Sequence, residues 1–420
     1  SKILIDLTRS LEYRGYDSAG IAIYDDKESK FLVKKTIGTI DKIQKEVLNQ
    51  INGTTGISHT RWATHGKINE KNAHPQISSN GKILIVHNGI VENYQEIKND
   101  LTKNGYDFTS ETDSEVIANL IEFNLAESEI KDALEKAMDS ITGSSSIVGI
   151  NRDNPNDIFL IKKGNSGGLV ISENKSGEKI ICSDPTIITK FSDSYRYLVD
   201  NEIAIISKHK NNFIRENKEP NKRVVNIKTN TILEDNETYQ YKMEEEIFYQ
   251  KKSIKRIIDD KNDLIINKLN ESNIKFENIQ RVLVIGMGSS FNAGLLGSYY
   301  FESISSLKSE TINASEFIDS KRIIDSNDLV IGVTQSGETA ETIKALEYAK
   351  SKGAKTISVT EKNISQASII SDTNVNIGCG PEYAVASTKT FTATALTLYI
   401  ISVYLSRDNE NKKNLENNLL

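Results

Sequence analysis

The sequence predicts an α+β domain of layered, largely antiparallel sheets, followed by an α/β domain with a mainly parallel sheet. Three observations carry this. The front half alternates short β-rich runs with turns and has few helices of crossover length between them. From residue 279 onward strands and helices alternate strictly, as in parallel sheets covered on both faces. A charge-rich, weakly periodic stretch separates the two patterns. At 420 residues the chain exceeds one typical core, so two or three domains are expected. The boundaries fall at 1–207 for the front domain, 208–276 for a connecting segment and 277–412 for the rear domain.

In the front, the β-rich runs are 19–24, 31–35, 56–60, 83–87, 146–150, 158–162, 168–172 and 180–183, read as two packed sheets. Helices are expected at 94–104 and 113–123, the second because Val116, Ile117, Leu120 and Ile121 recur at helical spacing. In the rear, strands at 282–285, 309–313, 329–333, 356–359 and 374–377 alternate with helices at 291–301, 340–350 and 387–405.

Composition narrows the function. With 37% hydrophobic and 26% charged residues the chain is an ordinary globular protein. A net charge of −6 disfavours nucleic acid as a partner, and Lys34-Lys35 and Lys251-Lys252 are too isolated to form a basic face; both pairs are read as solvated surface. The longest uncharged run, 390–406, is shorter than the roughly 20 apolar residues of a membrane span, so it is read as a buried helix and no membrane partner is expected. The two cysteines, Cys182 and Cys379, lack metal-ligand spacing, and no signal segment follows Ser1, so a reducing, cytoplasmic setting is expected.

In the rear, the strand Val282-Leu283-Val284-Ile285 runs into Gly286-Met287-Gly288-Ser289-Ser290 and then a helix. Small residues let backbone N–H groups turn towards a ligand, and the helix N-terminus adds partial positive charge, so an anion is favoured. A tight strand-to-helix turn is the plainer alternative. A dinucleotide fingerprint would need a glycine where Phe291 stands, so NAD is not expected. The next strand repeats the arrangement with Thr334-Gln335-Ser336-Gly337-Glu338-Thr339, whose three hydroxyls could serve one phosphate without lysine or arginine. Two such loops in one parallel sheet make the crevice where open α/β folds bind ligands. A third polar run, Val385-Ala386-Ser387-Thr388-Lys389-Thr390, opens the last helix.

Gly288-Ser289-Ser290 together with the run from Thr334 to Thr339 resembles the sugar isomerase domain family. Within it, Val385-Ala386-Ser387-Thr388-Lys389 resembles the amidotransferases that turn fructose 6-phosphate and glutamine into glucosamine 6-phosphate and glutamate. The resemblance implies that Ser289, Ser290, Thr334, Gln335, Ser336 and Thr339 hold the phosphate and that Ser387 approaches the sugar. Met287 stands where that family usually has cysteine, which alters the sugar-side wall.

In the front, polar clusters sit at strand ends: Tyr13-Arg14-Gly15-Tyr16-Asp17-Ser18, His59-Thr60-Arg61-Trp62-Ala63-Thr64-His65, His87-Asn88-Gly89 and Ser110-Glu111-Thr112-Asp113. An arginine and an aspartate suit an amino-acid head group, Arg61 gripping carboxylate and Asp113 pairing with the amine. A helix N-cap is the other role open to Asp113. As a series these runs resemble the N-terminal-nucleophile glutaminase domain of the same amidotransferases, of layered α/β/β/α architecture. That implies Arg61, Trp62, Thr64, His65 and Asp113 as glutamine-binding positions, and Asn88 and Gly89 as the oxyanion hole.

The resemblance also implies a cysteine nucleophile at the mature N-terminus and a second sugar isomerase domain carrying the acid–base residues. Neither occurs in the 420 residues, so the chain is expected to be truncated at both ends and inactive in glutamine hydrolysis. All five histidines lie in the front half, so none in the rear can open a sugar ring. The function expected is glutamine-dependent conversion of fructose 6-phosphate to glucosamine 6-phosphate in amino-sugar synthesis, with glutamine and fructose 6-phosphate as partners and no metal or organic cofactor. A homodimer or higher homo-oligomer is expected at full length. A sensor that binds sugar phosphate without catalysis is the alternative. A phosphoribosyl amidotransferase would need an acidic pair where Thr334 to Thr339 offer hydroxyls.

Overall fold

The computed structural model describes residues 2–12, 15–50, 53–62, 66–188, 191–216, 224–226, 239–382, 384 and 386–408, and the chain divides into two units, Ser1–Lys228 and Thr229–Leu420. The first unit runs α1 (Lys2–Ser10), β1 (Ser18–Asp25), β2 (Lys30–Ile37), α2 (Asp41–Gln50), β3 (Gly56–Arg61), β4 (Gln76–Ile77), β5 (Ile83–Val91), α3 (Tyr94–Lys103), α4 (Asp113–Leu125), α5 (Ile130–Ser140), β6 (Gly143–Asn151), β7 (Asn154–Lys163), β8 (Val170–Glu173), β9 (Lys179–Cys182), α6 (Pro185–Ile188), β10 (Ser194–Tyr197), β11 (Glu202–Ile206), β12 (Asn211–Arg215) and β13 (Val224–Asn226).

Alternation along the strands decides the layers. In the six-stranded sheet β12-β11-β7-β6-β5-β4, residues Ile83, Ile85, Ile147, Phe159, Ile161 and Ile203 face α3, α4 and α5. Their neighbours on the other face split into two groups. Leu84, Val86 and Ile150 pack on Ala22 and Ile57 of the sheet β2-β1-β3, whereas Leu160, Ala204 and Ile206 pack on Ile171 of the sheet β13-β10-β8-β9. The two small sheets therefore share one layer. Over the first of them, Ala19, Ile21 and Ile23 meet Ile5, Ile40, Ile43 and Val47 of α1, α2 and the turn before α2. Each buried isoleucine or leucine contributes about 1.5–3 kcal/mol. A one-residue slip would reverse a whole strand's set, which fixes the register.

The strands expected from the sequence are present and antiparallel throughout. The expectation of two sheets needs correction, since hydrogen bonding divides the second layer and gives three. Helices α2 and α5 were also not anticipated. Their buried residues lie four apart, Ile43 with Val47 and Leu134 with Met138, but on runs otherwise rich in charge.

The second unit runs α7 (Lys242–Arg256), a π-helical turn (Ile257–Lys261), α8 (Asn262–Asn270), β14 (Arg281–Gly286), α9 (Ser289–Ser303), β15 (Lys308–Asn313), β16 (Asp328–Val333), α10 (Ala340–Ser351), β17 (Lys355–Thr360), α11 (Gln366–Ile370), β18 (Thr373–Asn376) and α12 (Lys389–Tyr404). Its five strands are all parallel, in the order β15-β14-β16-β17-β18. Val282, Val284, Leu329 and Ile331 face one cluster with α8 and α12, while Leu283, Ile285 and Val330 face another with α10. The stretch read as a connecting segment contains β12, β13, α7 and α8. No helix among the described residues is long and apolar enough to cross a membrane.

Candidate functional site

Sharing a layer, the two small sheets leave edge strands β3 and β9 without a further partner strand among the described residues. A cleft of about 1450 Å³ is walled by residues 53–62 on the β3 side and 176–183 on the β9 side, with Val86 and Val148 of the six-stranded sheet among its lining. Arg61, Trp62, Asn88, Gly89 and Asp113 all line it. Five of the seven front positions predicted are thus brought together; Thr64 and His65 lie outside the described residues.

Arg61 ends β3 and is buried; Asp113 and Asp17 hold its charge while burial draws its pKa down. The N-cap position of α4 is Thr112, not Asp113, and its side chain makes no capping hydrogen bond, so the capping role left open above is not taken by Asp113. Asp113 instead accepts the Val91 N–H on Oδ2 at 2.9 Å. Trp62 is exposed and leans on Tyr16, ring centroids 5.4 Å apart. Asn88 donates one hydrogen of Nδ2 to the Ser166 carbonyl at 2.7 Å, which orients the amide and leaves its second hydrogen. Gly89 has φ 143°, and a Cβ there would stand 2.0 Å from the Ser144 carbonyl, so only glycine fits. Sequence reasoning missed the support of Asn88. The Lys162 ammonium, fully buried, donates to the Gly164 carbonyl at 2.8 Å and to Ser166 Oγ at 3.3 Å, holding the loop that Asn88 grips. A lysine in an apolar strand was the available signal.

Four histidines line this cleft among the described residues, the exposed His209 and three set deeper, His59, His74 and His87. His87 is held between Ser114 Oγ at 2.9 Å and Ser145 Oγ at 3.1 Å. The rings of His59 and His74 sit 4.5 Å apart, and both nitrogens of His74 and Nδ1 of His59 are buried without a hydrogen-bond partner among the described residues. Burial pushes His59 down to about 3, and repulsion of its charged form by His87 and Arg61 adds to it. His74 and His87 are lowered too, chiefly by burial. Lys35, read above as solvated, is half-buried, and burial lowers it to about 8.

These shifts set a sign for stability. An unfolded histidine titrates near 6.5, so as pH falls the unfolded chain takes up protons that the folded unit refuses. Stability is full above about pH 6.5 and declines as pH falls towards 3. Urea unfolding followed by the single tryptophan should show a midpoint that falls from pH 7.5 to 5.5, with a shallower fall in His74→Asn. A flat midpoint over that range would contradict the neutral histidines.

In the second unit the chain steps from β14 to β15 on one side, then to β16 on the other. Strands β14 and β16 lie side by side where the order reverses, the point at which open parallel sheets bind ligands. Ser289 and Ser290 start α9 at the end of β14, and the run from Thr334 to Thr339 leads from β16 into α10. Thr334 is buried; its Oγ1 lies 2.8 Å from Thr339 Oγ1 and accepts the Gly337 N–H at 3.3 Å. Gly337 has φ 69°, and a Cβ would meet Ser365 Oγ at 2.0 Å, so the loop turns against α11 only with glycine. Ser336 Oγ accepts the Glu338 N–H at 3.1 Å, which leaves its own hydrogen to donate, and Gln335 is half-buried beside it. Glu338 receives the Gln366 N–H at 3.2 Å and the Gln366 amide at 2.8 Å, so it braces α11. Ser387 lies two residues before α12.

Residues 59–183 match a glutamine amidotransferase domain and residues 275–403 a SIS domain. Curated relatives named glutamine--fructose-6-phosphate aminotransferase [isomerizing] run along nearly the whole chain. The one from Caldanaerobacter subterraneus subsp. tengcongensis is 38% identical over 408 residues, covering 96% of this chain and 66% of its own length. The one from Aquifex aeolicus is 37% identical over 414 residues, covering 97% and 68%. This chain thus spans about two thirds of the length of these relatives. Among solved structures, the C-terminal domain of glucosamine-fructose-6-phosphate aminotransferase from Francisella tularensis matches 44% of this chain and 54% of its own at 23% identity and a TM-score of 0.39, too loosely to carry argument. With such identity along both units, the chain belongs to the family of isomerizing glutamine–fructose-6-phosphate aminotransferases.

Proposed function

We propose that this chain carries the glutamine-binding and fructose 6-phosphate-binding parts of an enzyme that makes glucosamine 6-phosphate and glutamate. The observation that carries the reading is the meeting of Arg61, Asp113, Asn88 and Gly89 in one cleft. Arg61 grips the glutamine carboxylate and Asp113 the ammonium, with Trp62, Thr64 and His65 completing the pocket. A thiolate attacks the amide carbon, the carbonyl electrons move to oxygen, and Asn88 Nδ2 with the Gly89 N–H receives the oxyanion. Collapse of that intermediate, with the proton lost by the thiol passed to the amide nitrogen, expels ammonia, and water then releases glutamate from the thioester and restores the thiol. Two neighbouring helix N-termini, with Ser289, Ser290, Gln335 and Ser336, hold the phosphate in the second unit, while Thr334 and Thr339 brace the loop and Ser387 meets the sugar.

The thiolate is the part these residues do not place. Cys182 lines the cleft on β9 and is buried, and Cys379 belongs to the other unit. The cleft is larger than the roughly 300–1000 Å³ of a small-molecule pocket. Its walls are two strand edges open to pairing, which suits an added extended segment bringing the nucleophile beside Asn88.

A polypeptide of these 420 residues should release no glutamate from glutamine, and fusing a family-type segment that begins with cysteine should start the reaction. Hydrolysis by the unextended polypeptide that survives Cys182→Ala and Cys379→Ala would sink this account of the nucleophile.

The phosphate site has its own test. A hydrogen bond to a charged group is worth about 1.5–3 kcal/mol, so Ser336→Ala should weaken fructose 6-phosphate binding by roughly tenfold or more in calorimetric titration. Thr311→Ala should cost little, since Thr311 lies within strand β15, its hydroxyl 2.6 Å from Ser298 Oγ of α9, away from the loops. Equal affinity for wild type and Ser336→Ala would remove the loop as the phosphate site.

A further inference from the structure

The loop that carries Ser387 hangs on three carboxylates. Glu361, at the end of β17, accepts the Cys379 N–H at 3.0 Å and the Gly380 N–H at 2.8 Å. Glu246, buried on α7, accepts the Ala384 N–H at 3.1 Å. Glu382 takes the largest share: its Oε1 accepts the Thr388 N–H at 2.8 Å, the Thr388 hydroxyl at 3.1 Å and the Thr390 N–H at 3.2 Å. Its Oε2 accepts the Ser387 hydroxyl at 3.1 Å. The N-terminus of α12 is thus already satisfied by an anion of the chain itself, and it attracts no second one.

The Ser387 bond has a direction. An ionised carboxylate only accepts, so the Ser387 proton is drawn towards Glu382 and its oxygen keeps lone pairs for a ligand. A ligand hydroxyl can donate to such an oxygen. A ligand carbonyl, itself only an acceptor, cannot.

We propose that Glu382 is a positioning residue for the sugar, fixing Ser387 as an acceptor and so selecting a hydroxyl rather than a carbonyl oxygen at that point of the crevice. This rests on the reading of the crevice as a sugar-phosphate site. Glu382→Gln reverses the polarity with little change of shape: the amide would donate to Ser387, whose hydrogen would then point outward and oppose the sugar's.

The test titrates the full chain with fructose 6-phosphate and with inorganic phosphate. Glu382→Gln should weaken fructose 6-phosphate by about tenfold, since the Ser387 and sugar hydrogens would then oppose each other in place of one hydrogen bond, and leave inorganic phosphate within about twofold. Because Glu382 acts through Ser387, the same change made in Ser387→Ala should cost almost nothing further. An undiminished loss in the Ser387→Ala background, equal losses for both ligands, or no loss at all would each overturn the proposal. Amide exchange at Thr388 and Thr390 without ligand separates this failure from that of the underlying reading. Should the wild type bind no sugar phosphate, faster exchange in Glu382→Gln would still support the clamp, and unchanged exchange would overturn it.

Discussion

A phosphate can be held without lysine or arginine only where hydroxyls and helix N-termini converge on it. The requirement is topological before it is chemical. Each parallel strand feeds one helix, and two N-termini become neighbours on the same edge only where the strand order reverses. In the second unit that reversal falls between β14 and β16, and the residues following both strands are small or hydroxylic. The nearest lysine in sequence to the Ser387 loop, Lys389, is buried with its ammonium 5.0 Å from the centre of the Tyr249 ring. The phosphate site proposed there therefore rests on backbone dipoles and neutral donors.

The glutamine site proposed for the first unit meets a different constraint. An amino-acid head group carries both charges, and the protein must offer both without letting them neutralise each other. Arg61 and Asp113 reach the cleft from different elements, and Asp113 is restrained by the Val91 N–H. The surrounding histidines remain neutral near pH 7 because burial disfavours their charge. The low polarity that depresses them would also strengthen the Arg61 and Asn88 contacts on which the proposed amide chemistry relies.

Strands and helices with clear periodicity were legible, among them β1, β3, β5, β14, β16 and α4, because a buried face repeats along the chain. So were the loop residues, because glycine and hydroxyls at a strand end have few other uses. The supports were not legible. Lys162 holds Ser166, which holds Asn88 from 78 residues away, and Glu246 reaches Ala384 across 138 residues. Pairs so distant leave no local pattern. On α7, Glu246, Gln250 and Ser253 do form a polar stripe at helical spacing, and each contacts the Ser387 loop or α12, yet the stretch reads as solvated because its other face is charged. The division of the second layer into two sheets was hidden for the opposite reason, since strand patterns do not reveal which edges stay unpaired.

Amide exchange of the full chain with and without fructose 6-phosphate tests the central claim most directly, because it reports where the ligand's donors lie. The account predicts slowed exchange at residues 288–291 and 335–340, the two helix starts beside the strand-order reversal, with no change along 53–62 or 176–183 in the other unit. Protection confined to other segments, or exchange at both helix starts that ignores the ligand, would contradict it.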